Sequence, residues 1–138
     1  MYQFIVYQFY KTKPDRFSFK ILLLHFTLAY ACEHKAGYTM VCPSAYYITI
    51  LYAMYGRLEQ EICGNIQVPE SGCQAVDSLQ KAQNYTNSKC GTMPSTCSIE
   101  AHNAIFGDPC FGTVKYLHLI YSCFPRLITS SIFLIFNI

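Results

Sequence analysis

The chain has 138 residues, a length that suits one compact domain. Charged residues make up 13%, hydrophobic residues 52%, and the formal net charge is +2. That balance excludes intrinsic disorder. It also offers none of the Lys/Arg clusters that a nucleic-acid surface needs, so no nucleic-acid partner is expected.

In chain order, residues 1–31 read as a targeting segment. Lys11, Lys13, Arg16 and Lys20 supply basic charge, residues 21–28 (ILLLHFTL) an apolar stretch, and Ala29-Tyr30-Ala31 a small-x-small cleavage pattern. The apolar run falls short of the ~20 residues that span a bilayer. Two outcomes are open for 1–31: a signal peptide cleaved after Ala31, or an uncleaved signal anchor that tethers the chain to a membrane. The folded domain is then expected over 32–123.

All eight cysteines lie in that stretch, at positions 32, 42, 63, 73, 90, 97, 110 and 123. An even number, confined to one segment behind a hydrophobic leader, reads as four disulfides in an oxidising, extracellular compartment. Each bridge would add roughly 2–4 kcal/mol by restricting the unfolded chain. Zinc sites use closely spaced cysteine pairs followed by a second pair or histidines, and no such pairs occur here. A cysteine nucleophile with His102 or His118 as base has no local signature either. No metal or cofactor is expected.

Residues 46–53 (YYITILYA) are β-branched and aromatic, with Ile48 and Ile50 on one face, which predicts a strand. Gly56 follows, where the chain can turn. Asp77 or Ser78 can cap a helix running to about Lys89, with Leu79, Ala82 and Tyr85 or Thr86 on one face. Asn84-Tyr85-Thr86 is a glycosylation sequon. Residues 91–96 (GTMPST) are turn-forming and make Cys90–Cys97 a plausible local bridge. A last strand is predicted over 114–123, apolar on both faces and so central in its sheet. Residues 124–138 form an apolar tail, too short to span a bilayer as a helix and without the spacer of a lipid-anchor signal.

The stretch from Cys32 to Cys123 resembles the SUEL-type lectin domain, the galactose- or rhamnose-binding domain of egg lectins and latrophilin ectodomains. Ala53-Met54-Tyr55-Gly56-Arg57 is similar to its A-x-YGR motif, and Phe106-Gly107-Asp108-Pro109-Cys110 matches FGDPC. Residues 112–123 (GTVKYLHLIYSC) match GTxKYLxVxYxC, with Leu119 for Val. Cys32-Glu33 resembles the CE opening, and residues 97–103 (CSIEAHN) resemble CxVxAxN. One departure is His34, which stands where the family has glycine.

The resemblance implies a mixed α/β fold: a small disulfide-rich domain with antiparallel strands, one or two short helices and long ordered loops. It implies the pairing Cys32–Cys63, Cys42–Cys123, Cys73–Cys110 and Cys90–Cys97, out of 105 pairings that eight cysteines allow. It further implies calcium-independent binding of terminal galactosyl or rhamnosyl sugars on extracellular or cell-surface glycans. In that site Glu33 and Asp108 would accept hydroxyls, Lys115 would donate, Tyr55 would pack against the sugar ring, and Gly107 would let the backbone approach.

Each of these residues also has a plainer reading. Glu33 and Lys115 could be solvated charges, Asp108 a turn former before Pro109, and Tyr55 a core residue. Arg57 reads as structural, pairing with a carboxylate to hold its loop. His34, His102 and His118 read as structural or solvent-facing. Glu33 and Asp108 could be imagined as a glycosidase pair, but no catalytic set is visible, and no enzyme activity is expected. The competing function is an extracellular protein-binding adhesion module, or a fragment of a larger receptor. Because single sugar sites are weak, a homo-oligomer or a further domain is expected.

Overall fold

The structure is a computed structural model that describes residues 2–13 and 16–126, with side chains from His25 onward. Six strands and two helices follow in order: β1 (Tyr2–Lys13), β2 (Arg16–Cys32), β3 (Tyr38–Val41), β4 (Tyr46–Gly56), α1 (Ser78–Cys90), β5 (Thr96–Ile99), α2 (Asn103–Phe106) and β6 (Tyr116–Pro125). The main sheet runs β1-β2-β6-β4, all antiparallel, and β3 pairs with β5 in a two-stranded ribbon. The fold is thus mixed α/β and disulfide-rich, with a long loop between β4 and α1.

β6 is central because both its faces are apolar. Leu117, Leu119 and Tyr121 point into the core, with Ala29 and Ala31 of β2 and Ile48, Ile50, Ala53 and Tyr55 of β4. Met40 and Ile99 from the ribbon, Ala82 from α1 and Phe106 from α2 cover that face. On the opposite face Tyr30 stacks on His118 at 4.6 Å, and Tyr52 meets the same imidazole edge-on at 5.2 Å.

The helix begins at Ser78 with Asp77 at its cap position. Asp77 does not cap through its side chain; it takes a left-handed backbone with φ 58° instead. Ser78, Ala82 and Thr86 are buried, and Leu79 and Tyr85 pack against the core, the face that the helical spacing predicted. Asn84 lies on the exposed side.

Gly56 departs from expectation. It does not turn the chain but ends β4, and the segment 73–75 crosses directly over it. Arg57 N donates to Cys73 O at 2.7 Å and Ala75 N to Tyr55 O at 2.8 Å. A Cβ at Gly56 would lie 2.0 Å from the Cys73 carbonyl oxygen, so the position admits only glycine.

The four bridges are Cys32–Cys63, Cys42–Cys123, Cys73–Cys110 and Cys90–Cys97, the pairing that the resemblance implied.

The main sheet extends past 32–123 on both sides. Phe26–Cys32 pair residue for residue with Ser122–Tyr116, and Ala29 and Ala31 are 5% and 2% exposed. In this structure the residues before Cys32 therefore build the sheet. At the other end Phe124 and Pro125 extend β6 opposite Tyr47 and Tyr46. The rest of the apolar tail, 127–138, lies outside the described residues. Among the described residues no helix is long and apolar enough to cross a membrane.

Candidate functional site

The end of β2, the start of β6, the end of β4 and the α2 loop meet at one edge of the sheet. Past the Cys32–Tyr116 pair the ladder continues for one more step, in which Glu33 N donates to Lys115 O at 3.0 Å. The Glu33 side chain folds back over this step, and its Oε2 accepts from Lys115 N at 2.8 Å. Its Oε1 lies 2.9 Å from the Tyr55 hydroxyl, which reaches across from β4. Both carboxylate oxygens of this acid, only 5% exposed, thus face protein donors, as a buried carboxyl requires.

The Lys115 side chain is buried more deeply still, at 3% exposed. Its ammonium faces Thr113 O at 2.8 Å, Asp108 Oδ1 at 3.1 Å and Glu33 Oε2 at 3.4 Å. Three N–H groups therefore meet three acceptors, the longest of them to Glu33. Asp108 is the open member of the cluster, its side chain 30% exposed. Oδ1 also accepts from Cys110 N at 3.2 Å, which shapes the turn before the Cys73–Cys110 bridge. Its Oδ2 makes no hydrogen bond to the described residues and remains an acceptor for an incoming group.

The structure corrects one role. Tyr55 is fully buried, and its ring stacks on Phe106 at 4.9 Å, so it offers no platform to a sugar ring. Its contribution is the hydroxyl, 2.9 Å from Glu33 Oε1 and 2.7 Å from Asn103 Oδ1. A phenol has one proton and can donate to only one of these at a time. Burial, reinforced by the bond to Glu33, pushes its pKa well above 10.0, so it remains a proton donor. Gly107 is exposed with φ +82°, closes α2 through its N–H to Asn103 O, and leaves the space beside Asp108 free of a side chain.

Arg57 is structural, but its partners are carbonyls and not a carboxylate. Nε donates to Val114 O at 2.7 Å and one terminal nitrogen to Ile62 O at 2.7 Å, with the guanidinium over the Tyr116 ring. It ties the 59–62 loop to the segment just ahead of β6 that carries Lys115. His102 caps α2, its Nδ1 accepting from Ala104 N at 3.0 Å. His34 is exposed, in a left-handed turn at φ 62°.

Two residues had no assigned role in the sequence. Asn103 joins the site through Tyr55; the signal for it was the last position of the CxVxAxN motif. Lys81 of α1 donates to Phe106 O at 2.8 Å and sits 4.0 Å from where a Cβ of Gly107 would stand. No spacing within α1 pointed to that contact. Among the described residues no group of three or more His, Cys, Asp or Glu could hold a metal ion. A shallow depression lined by Tyr52, Gln74, Val76 and Leu79 lies at the start of α1, apart from these charges.

What converges is a buried lysine between two carboxylates, one closed and one open, beside a bare glycine. The family model of the D-galactoside/L-rhamnose binding SUEL lectin domain matches residues 40–123. This chain belongs to that family. It is 36% identical over 95 residues to a D-galactoside-specific lectin of Heliocidaris crassispina, covering 67% of this chain and 85% of that protein. It is 33% identical over 127 residues to a rhamnose-binding lectin of Silurus asotus, covering 88% of this chain but 36% of that one. It is also 38% identical over 103 residues to latrophilin Cirl of Drosophila mojavensis, covering 75% of this chain and 6% of the latrophilin. Against the Silurus lectin and the latrophilin, then, this SUEL lectin domain spans only a minor part of the relative's length.

Proposed function

We propose that the domain binds terminal galactosyl or rhamnosyl residues of glycans, without calcium and without turnover. The observation that carries this reading is the Glu33–Lys115–Asp108 cluster with its open oxygen on Asp108. A sugar presents neighbouring hydroxyls, each donor and acceptor at once. One hydroxyl can donate to Asp108 and accept from Lys115, displacing the long contact to Glu33; charge-assisted bonds of this kind are the stronger ones. An unmatched hydroxyl costs roughly 1–3 kcal/mol on desolvation, which supplies discrimination among sugars. Catalysis by the pair is disfavoured because Glu33 is buried, with Oε2 held by Lys115 N and Oε1 facing the Tyr55 hydroxyl, and both acids share one ammonium.

The domain works outside the cell on this reading, where four disulfides persist. A leader within the first residues and a glycan on exposed Asn84 belong to the same proposal. So does a homo-oligomer, since one open site gains strength through multivalency. The test is retention on galactose- and rhamnose-agarose with EDTA present, followed by elution with free sugar. Wild type is retained and Asp108→Ala flows through. Equal behaviour of the two proteins sinks the sugar reading and favours an extracellular protein-binding adhesion module.

A further inference from the structure

Phe111 is 96% exposed, the most exposed large hydrophobic side chain among the described residues. Its backbone is held firmly. Thr113 N donates to Cys110 O at 3.2 Å, closing a four-residue turn with Phe111 at its second position. Gly112 follows at φ +78°, the left-handed value that such a turn needs at its third position. Cys110 is bridged to Cys73 on one side of the turn. Both ends are also bonded to the candidate site, since Cys110 N donates to Asp108 Oδ1 and Thr113 O accepts from the Lys115 ammonium. The turn is therefore built onto the two charges that face the ligand, and its tip is a bare aromatic ring.

We propose that Phe111 is a platform for a second saccharide residue, the one linked to the terminal sugar held by Asp108 and Lys115. This rests on the sugar-binding reading above. A pyranose carries an apolar C–H face that leaves water on packing against an aromatic ring, and a rigid turn loses little freedom in offering one. The charged cluster then fixes the terminal residue while Phe111 reads its neighbour, so the preferred ligand is a disaccharide unit and not a free monosaccharide.

The experiment is titration calorimetry of the full chain with galactose and with the disaccharide galactosyl-α1,4-galactose, for wild type, Phe111→Ala and Phe111→Tyr. Wild type binds the disaccharide more tightly, by roughly two- to tenfold from one added ring contact. Phe111→Tyr keeps that ratio, and Phe111→Ala brings it close to one while leaving galactose affinity unchanged. A wild-type ratio of one, or a ratio that survives in Phe111→Ala, overturns the platform and leaves the terminal-sugar site standing. Failure of wild type to bind either sugar overturns the platform, and failure to bind rhamnose as well removes the underlying reading.

Discussion

Deleting residues 1–31, so that the chain starts at Cys32, removes the segment that pairs with β6 from Ser122 to Leu117. Ala29 and Ala31 leave the core, at about 0.8 kcal/mol for each buried methyl. Six or so ladder hydrogen bonds go as well, each worth roughly 0.5–1.5 kcal/mol net of water. Releasing the backbone returns about 1–2 kcal/mol per residue, which offsets that ladder in full. The uncancelled loss is the cover over Leu117, Leu119 and the Tyr30–His118 stack, so we expect a net cost of about 3 kcal/mol. For a domain of this size that lowers Tm on the order of 10–20 °C. Glu33 would also lose the strand that delivers it to Lys115. The assay is thermal unfolding of the chain begun at Cys32 against one begun at His25. Equal Tm values would refute the argument and make cleavage after Ala31 compatible with the fold. A higher Tm for the chain begun at His25 would mean that a leader removed from this chain ends before Phe26.

Gly56→Ala places a methyl against the Cys73 carbonyl and should cost about 3 kcal/mol, at the high end for single substitutions; an unchanged Tm would mean that segment 73–75 does not cross there. Tyr55→Phe removes the donor facing buried Glu33 and should cost roughly 1.5–3 kcal/mol while weakening sugar binding; full affinity on the sugar column would contradict the positioning role of the hydroxyl. Burial holds the His118 pKa below its ordinary 6.5, with the nearby Glu59 charge opposing the shift. The unfolded histidine then binds a proton more readily than the folded one. Its contribution to stability is complete above pH 6.5 and declines as pH falls from there toward the lowered folded value. His118→Leu should flatten that slope in denaturant unfolding between pH 7 and 5; an equally steep slope would assign it to other groups.

Local patterns carried the interior of the domain well. The alternation of β4 and β6 and the face of α1 depend on periodicity, and the structure places Ile48, Ile50, Leu117, Leu119 and Ala82 in the core. The strand over 26–32 was hidden because a half-buried strand with alternating alanines spells the same small-x-small pattern as a cleavage site. Nothing local distinguishes them; what decides is whether β6 has an unfilled side, a property of the whole sheet. Gly56 was misread for a related reason. Glycine marks both turns and close approaches, and only the crossing of segment 73–75, seventeen residues away at Cys73, tells which. The role of Tyr55 was likewise a matter of depth: the motif located the residue, but not that its ring lies under Phe106 with only the hydroxyl at the charges.

The site gathers residues 33, 55, 103, 108 and 115, none of which is held there by a single element. Two disulfides sit against it. Cys32 immediately precedes Glu33, and Cys110 donates its N–H to Asp108 while its partner Cys73 lends a carbonyl to Arg57 N beside Tyr55. The other two bridges, Cys42–Cys123 and Cys90–Cys97, fasten the ribbon and α1 at the far end. A lysine 2% exposed between two carboxylates is costly to desolvate, and such a cluster survives only where its members cannot drift apart. The covalent links at Cys32 and Cys110 impose that restraint on both acids at once. They therefore do more than restrict the unfolded chain: they hold the charges in the geometry proposed to meet a sugar hydroxyl, so that little further ordering would be required on binding.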